Sequence, residues 1–438
     1  MLLKKPFWAR HLGIWALACS ALVLASCGGS SDVAEESAPD PCLDADITQL
    51  AIETENQASI VSKDDYIRAQ MTLSCVQNPT HNLTVETRIR GRGNSTWGMP
   101  KKPYKLKLDD AASLLGMSEG KSWALLANYA DKSLLRNELA FHMARHLNLP
   151  YTPQSRMLEL TLNGEYQGVY QLTNKVYEVT DLVKADKKLP SSENELASGF
   201  SDVFLLEMDA RLDLEKDDGF ISQSGIPYKF RSDTDAEETL RIANWMNGLE
   251  ELLDSGQLGT HWDAVNRFID LDSLSKLYWV NELTGNVDGF GWSSTYLYRL
   301  RDGRLNYGPV WDFDLALGNN DYSSSQYPEE WYTISAPWAW PVRALLTQPE
   351  FSNSLQEQGQ QLIQDLPLFL SFIDGWASKL DQAQQRNFER WPILGTYVWP
   401  NPVVFDTYEE EVAYLKNWLI ERAAWLETHI DELGTTIP

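Results

Sequence analysis

Residues 286–318 read NVDGFGWSSTYLYRLRDGRLNYGPVWDFDLALG, a segment that combines a β-hairpin with acidic residues at one of its ends. Apolar and polar residues are patterned as two strands over 294–300 and 305–311, and Asp302-Gly303 supplies the turn between them. Asp288 precedes the first strand and Asp312 follows the second, so antiparallel pairing brings both carboxylates to the same end. Asp314 lies two residues further on and can face the same way. The hairpin therefore predicts a cluster of carboxylates beside a sheet.

A carboxylate cluster of this kind is suited to a hard cation. No His or Cys accompanies the acids, and Mg²⁺ is held by one or two carboxylates together with substrate phosphates. Large apolar neighbours such as Trp311 and Phe313 make a solvated surface turn, which is the alternative, less expected. We predict Asp312 and Asp314 as ligands of Mg²⁺, or of Mn²⁺ in its place.

A basic segment in the N-terminal half provides a candidate phosphate site. It runs from Arg88 to Lys107 in a chain whose net charge is −25, and it includes Arg92, Asn94 and Lys105. Its glycines allow backbone N–H groups to approach an anion, while Lys105 and Lys107 share one face of a strand. Taken alone, the loop is more typical of a tight turn on a basic surface, because it matches neither GxxxxGK[ST] nor GxGxxG.

Composition restricts the class of protein. The chain has 438 residues, of which 43% are hydrophobic and 17 are Trp, and this is typical of a globular protein. The acidic balance argues against a general nucleic-acid binder, because such proteins use Lys and Arg to displace counterions.

Patterning along the chain predicts an α+β protein with a β-rich lobe followed by an α-rich lobe. Strand patterns occupy 47–52, 66–73, 84–90, 103–108, 123–128, 156–162, 165–174 and 204–208, whereas helical patterns occupy 135–147, 240–253, 270–285 and the segment after a capping box at Thr407–Glu410. Residues 185–200 read as a surface insertion. The predicted domains are a small β-rich segment (42–80), a β-rich lobe (81–235) and an α-rich lobe (236–438).

The N-terminus resembles the signal of a bacterial lipoprotein. Lys4, Lys5 and Arg10 precede an apolar run over 12–25 that is short for a membrane span, and Leu24-Ala25-Ser26-Cys27 fits a lipobox. The resemblance implies a signal peptide over 1–26, lipid on Cys27 and a flexible tether over 27–41. Because no Asp follows Cys27, it also implies a cell-envelope protein anchored in the outer membrane. The alternative is an ordinary secretory signal with an incidental Cys.

Two cysteines are left outside the signal and the lipidation site. Cys42 and Cys75 can form a disulfide in an oxidising compartment, or they can be two buried free thiols. Neither interpretation gives a zinc site, because no CxxC spacing occurs.

Several motifs, taken together and in order, resemble those of the spore coat protein H (CotH) family of atypical kinases. They are RGRGNSTW (90–97), KPYKLK (102–107), LLANYADKS (125–133) with Arg136-Asn137, NGEYQGVY (163–170) and WDFDLALG (311–318). The similarity extends from about residue 51 to the final helix. It implies an atypical protein-kinase-like fold with a β-rich N-lobe and an α-rich C-lobe, which uses ATP and Mg²⁺ to phosphorylate protein hydroxyls.

The resemblance also assigns roles. Asp288 takes the catalytic position and Asp312 the metal-binding one, while Arg92, Asn94 and Lys105 or Lys107 contact the nucleotide. Glu138 would pair with that Lys and so complete the nucleotide site. Two positions depart from the family: Trp292-Ser293 stands where Asn residues are usual, which makes Ser293 the candidate second metal ligand, and Asn174-Lys175 stands where Glu is frequent.

Three functional hypotheses follow. The first is an exported, lipid-anchored kinase that phosphorylates Ser or Thr of surface or envelope proteins and does not bind nucleic acid. The second is a non-catalytic binding or structural protein on a degenerate kinase-like fold. The third is a glycosidase built on paired acids, which requires two carboxyl groups at a defined separation.

Overall fold

The structure of the protein, a computed structural model, describes residues 47–75, 78–174, 177–188, 202–301 and 303–435. Within these residues the chain is α+β: strands dominate up to Phe230 and helices dominate after it. The predicted signal, Cys27, the tether and Cys42 lie outside the described residues, as does most of the predicted insertion over 185–200. In the described part of the chain, no helix has both the length and the apolar character needed to cross a membrane.

The N-terminal strands close into a barrel, in the order β1-β2-β3-β4-β5-β7-β6. The strands are β1 (Thr48–Thr54), β2 (Ile67–Ser74), β3 (Leu83–Gly91), β4 (Tyr104–Ala112), β5 (Gly120–Leu126), β6 (Ser155–Leu162) and β7 (Glu165–Thr173). Alternate residues such as Tyr104, Leu106 and Leu108 of β4 face the interior, as the period of two requires. The Asn163-Gly164 turn joins β6 to β7 as predicted, with positive φ at both residues.

Barrel closure corrects the predicted division at residue 80. β1 pairs with β2 and also runs parallel to β6, while β2 pairs with β3. The two strands of the predicted 42–80 segment are therefore part of the barrel and do not form a separate sheet or cap. Cys75, directly after β2, is buried and disulfide-bonded.

A second sheet has the order β12-β11-β8-β10-β9. Its strands are β8 (Phe204–Met208), β9 (Gly219–Ile221), β10 (Pro227–Phe230), β11 (Thr295–Arg299) and β12 (Leu305–Tyr307). The predicted hairpin is confirmed as β11 and β12, although β12 is shorter than expected. Because β11 also pairs with β8, this sheet crosses the boundary predicted at residues 235 and 236.

Helices form the remainder of the described fold. They are α1 (Arg136–His146), α2 (Tyr177–Asp186), α3 (Ala236–Asp254), α4 (Trp262–Phe268), α5 (Leu271–Thr284), α6 (Trp340–Leu346), α7 (Pro349–Gln364), α8 (Leu366–Lys379), α9 (Asp381–Arg390) and α10 (Tyr408–His429). The capping box at Thr407 and Glu410 is present at the start of α10. Two hydrophobic cores result, one inside the barrel and one shared by the helices and the second sheet.

Candidate active site

A cavity of about 620 Å³ lies where the barrel meets the second sheet and the loops after α5 and β12. One wall comes from the glycine-containing loop after β3 and from β4. The opposite wall comes from the segments that carry Asp288 and Asp312. The cavity therefore joins the two regions that the sequence marked separately, the basic segment and the acidic hairpin end.

The basic wall depends on glycines for its shape. Gly93 has φ of +89°, and a Cβ on Gly91 would lie 2.4 Å from the ring of Trp97. Arg92 and Asn94 line the cavity, and the guanidinium of Arg92 lies 5.2 Å from the ring centre of Trp311, next to Asp312. The predicted loop thus faces the acidic wall.

Lys105 lines the cavity from strand β4. Burial, together with the neighbouring guanidinium groups of Arg90 and Arg92, lowers its pKa. An anion in the cavity would offset this mutual repulsion. Lys107 lies two residues further along the same face but is exposed, beside Arg88 in the strand register, so it lies away from the lining residues.

Glu138 does not pair with Lys105 or Lys107, and this expectation is wrong. Its carboxylate accepts from Arg145 at 2.8 Å and from Gln171 at 2.9 Å, and it also contacts Ser155. Because α1 presents this side chain to β6 and β7, Glu138 is part of the packing behind the cavity rather than of its wall.

Asp288 lies in a tight turn after α5. Gly285 ends the helix with φ of +57°, and the backbone carbonyl of Asp288 accepts from the N–H groups of Trp292 and Ser293. Burial first, and then the charge of Asp312, raise the pKa of the Asp288 carboxyl to about 6. The turn therefore holds a carboxyl whose pKa is raised above the usual range of an aspartate.

Asp312 and Asp314 follow β12 and line the same cavity as Asp288. Asp312 has φ of +72°, in the left-handed region that few residues other than Gly adopt. Burial, together with the charges of Asp312, Asp131 and Asp288, raises the pKa of Asp314. Carboxylates that raise one another's pKa in this way are stabilised by a bound cation.

The serine beside these acids is Ser294 rather than the predicted Ser293. The hydroxyl of Ser294 donates to Asp312 at 3.2 Å, whereas Ser293 is buried and its hydroxyl has no hydrogen-bond partner within the described residues. Ser294 adopts φ of +62°, and this turn directs the second serine of the pair into the cavity.

The 312–317 loop is held by the start of α1. Asn137 accepts a hydrogen bond from the N–H of Phe313 at 2.8 Å, and the guanidinium of Arg136 donates to the carbonyl of Ala316 at 3.1 Å. Arg136 is in turn paired with Asp131 at 2.6 Å, and both side chains are fully buried. The segment DKSLLRN thus positions the acidic loop, and this explains its place among the motifs.

Residues 89–426 match the family model described as CotH kinase protein, which is most of the chain. The chain belongs to the CotH kinase family. A search of curated proteins returned no match. The CotH kinases are atypical protein kinases, so the family implies a kinase-like fold, ATP, a divalent metal ion and a protein substrate.

The cavity of this CotH kinase fits the nucleotide and metal that the family implies. Among the described residues, no group of three His, Cys, Asp or Glu side chains is arranged to hold a metal ion by itself. Mg²⁺ is commonly held by fewer protein ligands, with substrate phosphates completing the shell. Asp312 would supply such a carboxylate, and Arg92 and Lys105 line the same cavity with positive charge that suits phosphates.

Several lining residues have no local motif that could have predicted them. Arg211 follows β8, and its Nε donates to Asp209 at 3.1 Å. Arg231, after β10, bridges Glu207 and Asp209, and Glu207 accepts from the N–H of Ser294 at 3.2 Å. This network connects the second sheet to the side of the cavity that contains Asp288. Only the pairing of β8 with β10 and β11 brings these residues together.

A second cavity of about 740 Å³ adjoins the first. The two share Ser95, Arg211, Asp288, Leu315 and Trp399. The outer part of the second cavity is lined mainly by aromatic and apolar side chains. Asp288 therefore lies between a charged cavity and an apolar one.

Proposed function

We propose that the protein is an exported kinase that uses ATP and Mg²⁺ to phosphorylate Ser or Thr residues of surface or envelope proteins. One observation carries the proposal: Asp288 and Asp312 share a cavity with Arg92 and Lys105. A carboxylate to orient the acceptor, a carboxylate to bind the metal and cations for the phosphates are the parts that phosphoryl transfer needs.

Each of these residues has a defined part in the proposed reaction. Asp288 would accept a hydrogen bond from the acceptor hydroxyl and take its proton as the hydroxyl oxygen bonds to the γ-phosphorus of ATP. The bond from that phosphorus to the β–γ bridging oxygen breaks, and ADP leaves. Asp312, together with Asp314, would hold the metal ion, while Arg92 and Lys105 would contact phosphate oxygens. Mg²⁺ would neutralise charge on the β and γ oxygens of ATP, which supplies the phosphoryl group.

Export and anchoring are part of the proposal. The basic and apolar pattern of residues 1–26 and the lipobox ending at Cys27 support a lipid anchor, with the outer membrane as its location. The disulfide at Cys75 supports an oxidising compartment. Incorporation of labelled fatty acid into the wild-type protein, and its loss in Cys27→Ala, would test the anchor. Equal labelling of both would contradict it.

Transfer is tested with labelled ATP, Mg²⁺ or Mn²⁺ and a mixed protein acceptor. The wild-type protein should label the acceptor, and Asp288→Ala and Asp312→Ala should not. Asp374→Ala removes an acid that is 60% exposed on α8, so it serves as the matched control and should label the acceptor normally. Equal labelling by the wild type and both cavity variants would rule out the proposed mechanism.

A non-catalytic role is the second candidate, and one observation favours it. Trp292 and Ser293 stand where the family usually has Asn residues. The Ser293 hydroxyl is buried without a hydrogen-bond partner among the described residues, whereas the hydroxyl of Ser294 donates to Asp312. Ser294 is the nearby oxygen that could replace it. ATP binding without transfer by the wild-type protein would support this second role over the first.

A further inference from the structure

We propose that the second cavity binds the acceptor polypeptide and selects a large apolar side chain close in sequence to the Ser or Thr that is phosphorylated. This inference rests on the proposed function. We call the cavity the aromatic groove, and its walls include Val287, Trp292, Tyr322, Trp331, Pro337 and Trp399.

Position is the first argument. The inner end of the aromatic groove contains Asp288, and Tyr322 lines the same groove. A hydroxyl that reaches Asp288 from the groove meets the charged cavity on the other side, because Ser95 and Arg211 line both. The acceptor and the nucleotide would thus approach Asp288 from opposite directions.

The chemistry of the walls is the second argument. Trp292, Tyr322 and Trp399 are 52%, 48% and 50% exposed, so three large aromatic side chains border one depression. The rings of Tyr322 and Trp399 are stacked with centres 6.3 Å apart. Clustered exposed aromatic residues are typical of binding surfaces, where Trp and Tyr contribute much of the affinity.

Rigidity is the third argument. The carboxylate of Glu282 accepts from the N–H groups of Tyr332 and Ile334 at 2.9 and 3.0 Å, and it pairs with Arg422 at 2.7 Å in a fully buried contact. The backbone N–H of Trp338 donates to the backbone carbonyl of Phe290 at 2.8 Å. The segment 331–338 is therefore fixed before anything binds, which lowers the entropic cost of binding.

A polypeptide is the occupant that these observations favour. The family consists of atypical protein kinases and implies a protein substrate. A volume of about 740 Å³ exceeds what a single hydroxyl side chain needs, and the groove continues outward from Asp288 along apolar walls. An apolar side chain next to the acceptor residue would fill this space and remove the exposed rings from water.

The test compares two fluorescent peptides that contain one Ser and differ in a single neighbour, Trp or Ala. Anisotropy measures their binding to the purified protein with Mg²⁺ and a non-hydrolysable ATP analogue. The Trp peptide should bind about tenfold more tightly to the wild type. Trp292→Ala and Trp399→Ala should reduce this ratio to about twofold or less. Leu368→Ala removes an equally exposed apolar side chain from α8 and should keep the ratio.

Equal affinity for both peptides, or an unchanged ratio in the two Trp variants, would overturn the inference. So would an oligosaccharide that binds in place of both peptides and loses affinity in those variants, because the groove would then be a sugar site. Binding does not depend on turnover. Tighter binding of the Trp peptide without phosphorylation of either peptide would refute the proposed kinase activity and support peptide binding by the aromatic groove. Phosphorylation of both peptides with equal KM would refute the role of the groove and support the kinase activity.

Discussion

Arg136→Met should destabilise the protein by about 3 kcal/mol, because it leaves the carboxylate of Asp131 buried without its charged partner. Both side chains are completely inaccessible, and their closest atoms are 2.6 Å apart. Met has a similar length and no charge, so the change removes the ion pair with little loss of volume. Arg241→Met is the matched control: the Arg241 side chain is 47% exposed in its pair with Asp202, and loss of this pair should cost about 1 kcal/mol or less.

Urea unfolding followed by Trp fluorescence measures the two differences. The double variant Asp131→Asn/Arg136→Met should recover part of the loss, because it no longer buries an unpaired charge. Arg136→Met should also weaken binding of ATP with Mg²⁺, since the carbonyl of Ala316 loses its donor and the acidic loop its anchor. A loss below about 1 kcal/mol, or a double variant no more stable than Arg136→Met, would refute this reasoning.

Three further predictions concern two residues that line the active-site cavity and one histidine that affects the stability of the fold. Arg211→Ala should lower kcat about tenfold or more, because the Arg211 guanidinium lines both cavities. Arg211→Lys should retain part of the activity. An unchanged kcat in Arg211→Ala would contradict a role for this residue in the reaction. Gly91→Ala should weaken ATP binding in a titration, because the added Cβ would collide with Trp97. An affinity equal to that of the wild type would contradict a role for this loop in binding ATP. His142 lies on α1, and burial lowers its pKa to about 4. Between about pH 4 and pH 6.5 the unfolded chain therefore binds a proton at this residue that the folded chain does not bind. The free energy of unfolding consequently falls as the pH drops through this range. His142→Phe should remove about 2 kcal/mol of the stability that is lost between pH 7 and pH 5 in urea unfolding, whereas an identical loss in both proteins would contradict this prediction.

Local pattern was sufficient for most of the described strands, for helices α1, α3, α5 and α10, and for the acidic end of the hairpin. The hairpin could be predicted because alternation and the turn lie within one short segment. Closure of the barrel could not, because the parallel contact of β1 with β6 joins segments about a hundred residues apart and leaves no local signal. The motifs indicated the family, but pairing between distant strands determines the architecture.

The errors at the site have local physical causes. Ser293 and Ser294 differ by one position, and the left-handed backbone at Ser294 decides which hydroxyl reaches Asp312. Glu138 was assigned by resemblance, but α1 turns it toward Arg145. Arg211 had no motif at all, because only the second sheet brings it to Asp288. Spacing predicts which residues share a strand face or a hairpin end, and it does not predict which way a side chain points from a turn.

Mg²⁺ dependence of ATP affinity tests the central claim most directly. Calorimetric titration of ATP, with and without Mg²⁺, should show tighter binding with the metal for the wild type and for Asp288→Asn. The difference should be absent in Asp312→Asn, because Asp312 holds the metal and Asp288 orients the acceptor. An equal effect of Mg²⁺ in all three proteins, or its loss in Asp288→Asn alone, would contradict the assignment of the two carboxylates.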